Sequence, residues 1–276
     1  MKYRNLSPLR YPGGKLRIIE LVENIISKNH LKSYTYCEPY AGGAGLALTM
    51  LQKGIVQKIH LNDLDRSIYS FWYSILNNTE EFIRLIVNTE VSIEEREKQK
   101  EVQNNIDKAE VLDLGFSTFY LNRVNRSGIL KGGVIGGKGQ KSNYSIDCRF
   151  NKVELIGRII EIASLKKRIK LTNMDAIDLI HELKDKKKVF MYLDPPYYKK
   201  GKDLYMNYYN HDDHLNLANV LQDSSLKYII SYDDCKEIRN IYNKQKHIKY
   251  TLSHNVSNKG IGKEIMYFSK NITRVK

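Results

Sequence analysis

The chain has 276 residues, of which 42% are hydrophobic, and its formal charge is +14 at pH 7. The length suits one large domain or one domain with a sizeable insertion. The basic excess favours a polyanionic partner, either nucleic acid or an anionic membrane surface, although a generally lysine-rich composition would give the same charge. No apolar run reaches the roughly 20 residues that a membrane-spanning helix needs. With no apolar signal core and three widely spaced cysteines that fit neither disulfides nor zinc, we expect a cytoplasmic protein with reduced thiols.

Strands and helices alternate in the predicted structure of both ends of the chain. A buried strand at 34–39 precedes a helix at 45–54, which Gly54 ends, and a second strand covers 56–63. Further strands are expected at 169–172, 189–194, 227–232 and 264–269. The helices between them are expected at 175–184, 212–222 and 234–243. This alternation predicts an α/β fold with a doubly wound sheet, whose site lies beyond the carboxyl ends of the strands.

The middle of the chain, from about Arg66 to Phe150, does not alternate in this way. RSIYSFWYSILNN has the apolar spacing of a helix, and 92–110 is a highly charged helix or linker. The glycine-rich sequence GILKGGVIGGKGQKSNY has no means of burying a core of its own. We therefore predict one domain from 1–65 and 151–276, and a helical insertion at 66–150 that carries a flexible basic loop.

Two motifs near the N-terminus suggest a ligand. EPYAGGAG (38–45) places an acid at a strand end and three glycines before a helix, where they permit a tight turn and a close approach of a ligand. Asp63 ends the next strand, where an acid commonly binds ribose hydroxyls. Separately the two read as an ordinary turn and a helix cap, but together they predict a nucleoside-containing cofactor. Asp175 is either a third contact or the N-cap of the following helix.

The most informative motif is DPPY (194–197), which directly follows a buried strand. An ionised Asp194 can only accept hydrogen bonds, and Pro195 and Pro196 fix φ and donate none. Tyr197 offers a flat face for stacking. A rigid turn is the simpler interpretation, but these residues also form a clamp for a planar group with an –NH2, held by Asp194 and the Pro195 carbonyl.

Such a clamp would make the amino nitrogen of adenine a better nucleophile. That nitrogen is a poor nucleophile because the lone pair is delocalised into the ring. Two acceptors that hold the amino hydrogens favour a pyramidal nitrogen, whose lone pair can point at an electrophile. Neither a metal nor a covalent intermediate is required.

In their order along the chain, these motifs resemble those of the Dam-type, D12 class, adenine-specific DNA methyltransferases, which use S-adenosylmethionine. RYPGGK (10–15) looks like the N-terminal cofactor motif of that family, EPYAGGAG its cofactor loop and LND (61–63) its ribose-binding acid. DPPY is similar to its catalytic motif, and FYLNRVNRSG (119–128) resembles the Asn-Arg helix of its DNA-recognition domain. SYDD and the closing KEIMYFSKN also look familiar. The resemblance covers nearly the whole chain and implies a Rossmann-like methyltransferase fold with a target-recognition insertion.

The resemblance also implies which residues form the site. The catalytic residues would be Asp194, Pro195, Pro196 and Tyr197. The cofactor would be bound by Tyr11, Lys15, Glu38, Pro39, Tyr40, Gly42, Gly43, Gly45, Asp63, Asp175 and Asp194. DNA would be contacted by Asn122, Arg123, Asn125, Arg126, Lys138 and Lys199, whose side chains can bond base edges or phosphates.

The implied activity is site-specific methylation of adenine N6 in double-stranded DNA. The base would be flipped into the Asp194 pocket, and duplex affinity would fall with salt. The enzyme would be a monomer, associated with the nucleoid through DNA, in a restriction–modification system with a paired endonuclease, in a phage or in a housekeeping set. Alternatives are the same chemistry on RNA adenine or on a protein glutamine amide, and an inactive DNA-binding relative. Asp rather than Asn at position 194 disfavours glutamine, and the unusual glycine-rich stretch leaves the target sequence unassigned.

Overall fold

The computed structural model describes residues 5–10, 15–198, 209–253 and 261–275, and the chain forms two compact units. The first unit comprises Met1–Gly14 and Asp65–Leu171, and the second comprises Lys15–Leu64 and Thr172–Lys276. These limits differ from the predicted division, because residues 151–171 and the first fourteen residues go with the central insertion. The functions predicted for the two parts stay predictions.

A seven-stranded sheet, in the order β3-β2-β1-β4-β5-β7-β6, forms the centre of the α/β fold. Strands β1, β2, β4 and β5 run parallel, while β7 is antiparallel to both β5 and β6. The doubly wound, Rossmann-like class predicted from the sequence is confirmed. The strands are β1 Thr35–Glu38, β2 Lys58–Asn62, β3 Ile169–Thr172, β4 Val189–Leu193, β5 Lys227–Asp233, β6 Lys246–Ser253 and β7 Ile261–Phe268.

The sequence analysis did not predict β6. This strand is an edge strand, paired with β7 alone in the sheet order. Its first residues, KHIKY, mix two lysines and a histidine with apolar and aromatic side chains. Lysines on an edge strand discourage pairing with other chains, and they also hide the strand from a search for continuous apolar runs.

The helices of the second unit pack on the sheet. Leu179, Leu217 and Ile238, which lie on three different helices, share a core with Cys37 and Met191 of the central strands. The helices predicted at 45–54, 175–184, 212–222 and 234–243 are confirmed, whereas the first helix was not predicted. These helices are α1 Ile19–Lys28, α2 Gly45–Gln52, α8 Ala176–Leu183, α9 His211–Asp223 and α10 Lys236–Ile241, with a 3₁₀ turn Lys15–Ile18 before α1.

The first unit is helical, with an aromatic core. Phe71, Phe82 and Phe119 lie within 6.1 Å of one another by ring centroids and are fully buried. The helices predicted in RSIYSFWYSILNN and within 92–110 are confirmed. The five helices are α3 Arg66–Asn77, α4 Thr79–Asn88, α5 Ile93–Asn104, α6 Val111–Val124 and α7 Lys152–Ser164. None of the helices in the described ranges combines the length and apolarity that crossing a bilayer requires.

The glycine-rich stretch after α6 is held by side-chain and main-chain hydrogen bonds. A bridge joins Asn125 to Val134, and the Gln140 amide donates to two carbonyls of the stretch, those of Ile135 and Gly137. Although it was expected to have no core of its own, the stretch contributes Val134, which is 4% exposed, to the core of the unit. Its predicted flexibility stays a prediction.

Candidate active site

Acidic side chains stand where neighbouring parallel strands end. Glu38 is the last residue of β1, Asp63 directly follows β2, and Asp194 directly follows β4. Because β2, β1 and β4 are adjacent and parallel, their carboxyl ends meet at one edge of the sheet. The structure therefore brings together three acids that are far apart in the sequence.

Lys15 lies between two acidic side chains at this edge. Its Nζ is 3.2 Å from Asp194 Oδ1 and 3.5 Å from Glu264 Oε2, and its side chain is only 5% exposed. The ammonium also donates to the Tyr197 hydroxyl and lies 4.8 Å from the centre of that ring. A buried cation needs such partners, because removing it from water without them is costly.

Glu264, on β7, links this group of side chains to the antiparallel edge of the sheet. The Tyr197 hydroxyl donates to Glu264 Oε1 at 2.7 Å, and the Tyr250 hydroxyl donates to Oε2 at 2.8 Å. Glu264 is 1% exposed. The sequence analysis missed both Glu264 and Tyr250, although a glutamate within the apolar strand sequence EIMYF was a signal that could have been used.

The electrostatic environment of Asp194 makes it an unusual carboxyl group. Burial, with a smaller contribution from Glu264, raises its pKa to about 6 against the opposing effect of the Lys15 ammonium. Oδ1 is buried against Lys15, whose ammonium lies 3.2 Å away, while 23% of the Asp194 side chain stays exposed. At neutral pH the carboxylate is therefore a mostly ionised acceptor, and its exposed part suits a ligand bearing an amino group.

The glycine loop after β1 is tied to the acid after β2. The Gly42 N–H donates to Asp63 Oδ2 at 2.8 Å, and the Ala41 N–H donates to the Asn62 carbonyl at 2.8 Å. Positive φ angles of 46° at Gly42 and 45° at Ala44 turn the main chain sharply into α2. The hydrogen bond holds the Asp63 carboxylate beside the loop, which is the arrangement that a bound ribose would need.

Asn62 is a third residue that the sequence analysis missed. It is fully buried, and its amide donates to the carbonyls of Pro39 and Met174, each at 3.0 Å. It thereby joins the glycine loop to the segment before α8. The LND sequence drew attention to the aspartate, but its asparagine is the residue that holds these loops together.

Glu38 and Tyr40 flank the start of the glycine loop. Glu38 is 5% exposed, and burial raises its pKa to about 8, against the opposing effect of a hydrogen bond from the Tyr36 hydroxyl at 3.0 Å. The carboxyl is therefore mostly protonated at pH 7 and able to donate. The Tyr40 hydroxyl lies 2.9 Å from that of Tyr209. Cofactor binding by Glu38, Pro39, Tyr40, Gly43 and Gly45 stays a prediction.

Asp175 has the structural role that the sequence offered as an alternative. Its side chain accepts a hydrogen bond from the Ile177 N–H at 2.7 Å and caps α8. A capping carboxylate satisfies one of the free N–H groups at a helix start. Its contact with a cofactor stays a prediction.

Asn122, predicted to contact DNA, is buried within the first unit and bonded to main chain. It is 2% exposed; Oδ1 accepts from the Arg10 N–H at 2.7 Å, and Nδ2 donates to the carbonyls of Arg10 and Gly128, both at 2.8 Å. Gly128 has a φ of +77°, and a Cβ there would lie 2.1 Å from the Arg10 carbonyl oxygen. The amide therefore joins residue 10 to the end of the Asn-Arg motif.

The side chain of Asn125 is likewise buried and hydrogen-bonded within the first unit. It is fully buried, its Oδ1 accepts from Arg96 Nε at 2.7 Å, and its Nδ2 donates to the carbonyls of Ile129 and Leu130. For either asparagine, the predicted contact with a base would require these hydrogen bonds to be given up. Both contacts stay predictions.

The basic residues predicted to contact DNA differ in exposure. The Arg123 guanidinium donates to the carbonyls of Pro8 and Arg149, and burial lowers its pKa to about 10, which leaves it charged at neutral pH. Arg126 and Lys138 are exposed and could reach phosphates. Tyr11 and Lys199, predicted for the cofactor and the DNA, lie outside the described residues.

Comparisons with known proteins agree with the motifs. The model of the D12 class N6 adenine-specific DNA methyltransferase family matches residues 11–255. The type II methyltransferase M.MjaIII of Methanocaldococcus jannaschii is 24% identical over 234 residues, and the match covers 76% of this chain and 77% of that protein.

Similarity to solved structures is weak. A putative SAM-dependent methyltransferase from Streptococcus mutans has 10% identity and a TM-score of 0.37, over 89% of this chain and 47% of that one. The putative methyltransferase yhhF from Escherichia coli has 10% identity and a TM-score of 0.34, over 95% and 91%. These scores are too low to support an argument. The fold is instead established by the order of the strands in the sheet, and the family by the match to its model.

Proposed function

Because the chain belongs to the family of D12 class N6 adenine-specific DNA methyltransferases, we propose that it methylates the amino nitrogen of an adenine flipped out of duplex DNA. S-adenosylmethionine is the cofactor of this family, and when bound it supplies an electrophilic methyl group on a sulfonium. The chemistry left to the protein is to hold the adenine, direct its amino lone pair and take up the proton that the amine loses.

One observation above all supports this proposal: the Asp194 carboxylate, at the carboxyl end of β4, is held by the Lys15 ammonium 3.2 Å from Oδ1, while 23% of its side chain stays exposed. A carboxylate that is fixed on one side and accessible on the other can accept a hydrogen bond from a ligand. An adenine amino group has two hydrogens, one for Asp194 and one for the Pro195 carbonyl. With both held, the lone pair points out of the plane of the ring, which lies against Tyr197.

The residues around the glycine loop fit a nucleoside-containing cofactor. Asp63 supplies a carboxylate for ribose hydroxyls, and its bond from Gly42 fixes its orientation. The buried, mostly protonated Glu38 adds a hydrogen-bond donor beside the loop. Lys15 holds Asp194 by charge, so we assign it to the support of the catalytic acid as well as to the cofactor site.

Duplex binding in this proposal comes from the positive charge of the chain. In the first unit, Arg126, Lys131, Lys138 and Lys141 are exposed along the stretch that follows α6. Cations of this kind contact phosphates without reading sequence, so affinity should fall steeply as salt rises. We propose a monomer as the working form, and the type II relative supports a restriction endonuclease as a functional partner.

The proposal is tested by incubating the protein with tritiated S-adenosylmethionine and, in parallel, duplex DNA, RNA or protein. Nucleoside analysis of the product should show label in N6-methyladenine from DNA. Label confined to RNA or protein would assign the same chemistry to another substrate. Duplex binding without any transfer would identify an inactive DNA-binding relative. Single-molecule sequencing of genomic DNA from a host that expresses the chain would then reveal the target sequence.

A further inference from the structure

Glu264 is a buried acid that shares the Lys15 ammonium with Asp194. It is 1% exposed, it belongs to β7, and its two oxygens receive hydrogen bonds from different elements of the second unit. Tyr197, from the DPPY motif, donates to one oxygen, and Tyr250, from β6, donates to the other. A carboxylate removed from water is destabilising unless its partners compensate, so its place beside the catalytic motif calls for a reason.

The charges around Lys15 are unequal. Asp194 Oδ1 and Glu264 Oε2 lie 3.2 Å and 3.5 Å from the same ammonium. One cation therefore serves two acids, and the cluster carries an excess of negative charge when both acids are ionised. Two carboxyl groups close to one cation share its attraction, and the charge of Glu264 makes Asp194 harder to ionise.

Glu38 and four tyrosines are also coupled electrostatically to Asp194, and all five are mostly or fully neutral at pH 7. Glu38, on β1, is mostly protonated there, because burial raises its pKa to about 8. The other groups coupled to Asp194 are tyrosines whose pKa values burial raises well above the usual range, and these stay neutral. They are Tyr36 from β1, Tyr192 from β4, Tyr197 from the loop and Tyr250 from β6.

We propose that Glu264 is a positioning residue of the methyl transfer, which through Lys15 and Tyr197 holds the Asp194 carboxylate in place and keeps it basic enough to take a proton from the adenine amine. The inference rests on the proposed function and deepens it. Glu264 does not touch the substrate in this assignment; it acts on the group that does.

The step balances without any further reactant. A bond forms between the adenine amino nitrogen and the methyl carbon, and the bond from that carbon to the sulfonium sulfur breaks. The sulfur keeps the electron pair, and the nitrogen gains the positive charge until it releases one proton to Asp194. The negative charge of Glu264 stabilises that protonated Asp194, which returns the proton to solvent after the product leaves.

The variant Glu264→Gln keeps the size of the side chain and removes its charge. Carbon-13 NMR of protein labelled at the aspartate carboxyl carbons follows the Asp194 titration directly, and the spectrum of an Asp194→Ala variant identifies the resonance. The wild-type midpoint should lie near the raised pKa of about 6. In Glu264→Gln the midpoint should fall by about one pH unit. The acidic limb of the pH profile of kcat should shift to lower pH by the same amount.

Tyr250→Phe is the matched control, because it removes one hydrogen bond to Glu264 and leaves the charge in place. The Asp194 midpoint should hardly move in this variant, whatever its stability to urea. If Glu264→Gln does not fold, Glu264→Asp withdraws the carboxylate by one methylene, and the midpoint should fall in the same direction by less. An Asp194 midpoint equal to that of the wild type in a folded Glu264 variant would overturn the proposal.

The titration also separates this inference from the proposed function, because it needs neither cofactor nor DNA. A shifted midpoint in a protein that methylates nothing would keep the coupling and reject the activity. Methylation of DNA with an unshifted midpoint would keep the activity and reject the role of Glu264. The kinetic readout adds that kcat should fall about tenfold at neutral pH while KM for the cofactor stays constant.

Discussion

Two regions rich in polar residues, the surroundings of Asp194 and those of Asn122, differ in what their polar atoms do. The Asp194 carboxylate pairs with the Lys15 ammonium through Oδ1 at 3.2 Å, but 23% of its side chain stays exposed. Asn122 is only 2% exposed, and both ends of its amide are bonded to the main chain of its own unit. A polar group with unused capacity is available for chemistry, whereas a fully bonded one stabilises the fold.

The comparison predicts that substitutions in the first region reduce activity and those in the second reduce stability. The largest effect is expected for Asp194→Ala, because it removes the acceptor that holds and orients the amine. Transfer should fall by about 1,000-fold or more, measured with tritiated cofactor, while duplex affinity by fluorescence anisotropy is largely kept. Asp185→Ala, at an exposed aspartate of the same unit, should leave both unchanged. Turnover like that of the wild type in Asp194→Ala would remove this residue from the mechanism.

The second region is best tested by its glycine. Gly128→Ala would place a Cβ 2.1 Å from the Arg10 carbonyl oxygen, at a φ of +77°. Urea unfolding should show a loss of about 3 kcal/mol or more.

Gly137→Ala is the matched control, since its φ of +75° is similar but the Cβ would meet nothing within 4 Å. It should cost only about 1 kcal/mol, the strain of a left-handed residue. Equal losses of stability in the two alanine variants would show that the close contact with the Arg10 carbonyl adds nothing to the destabilisation by Gly128→Ala.

A pH test concerns His214, a buried group of the second unit that takes no proposed part in chemistry. Burial lowers the pKa of His214 from its ordinary value of 6.5 to about 4, and its Nδ1 lies 3.1 Å from the Tyr232 hydroxyl. Between those two pH values the unfolded chain binds a proton that the folded chain does not. Stability should therefore fall as pH drops from about 6.5 to about 4, by on the order of 3 kcal/mol.

Urea unfolding at pH 7 and pH 4.5 measures that dependence. In His214→Phe the part of the loss that comes from this group should disappear, even if the variant is less stable at both pH values. An unchanged difference between the two pH values would mean that His214 does not titrate as its burial indicates.

The smallest of the predicted effects concerns the cofactor. Asp63→Ala removes the acceptor beside the glycine loop and leaves the Gly42 N–H without it. Calorimetry should show binding of S-adenosylmethionine weakened about tenfold, as for the loss of a hydrogen bond to a charged group. Asp178→Ala, at an exposed aspartate, is the control. Equal affinities in wild type and Asp63→Ala would exclude the ribose contact.

The same contrast explains how far the sequence could be interpreted. Acids at the ends of apolar runs identified Asp63 and Asp194, because a strand end in a parallel sheet has a defined place. The ion pair of Lys15 with Glu264 joins residues at opposite ends of the chain, and no local pattern shows such a pairing. For Asn122, the residue type was compatible with reading a base, and only the fold reveals that its amide is bonded to residue 10.

The most direct test of the central claim is a crystal structure with S-adenosylhomocysteine and a duplex that contains the target adenine. We expect the adenine amino nitrogen at about 2.6–3.2 Å from an Asp194 carboxylate oxygen, with its free face towards the thioether sulfur. A sulfur atom far from the DPPY turn, with no space for a purine between them, would contradict the account.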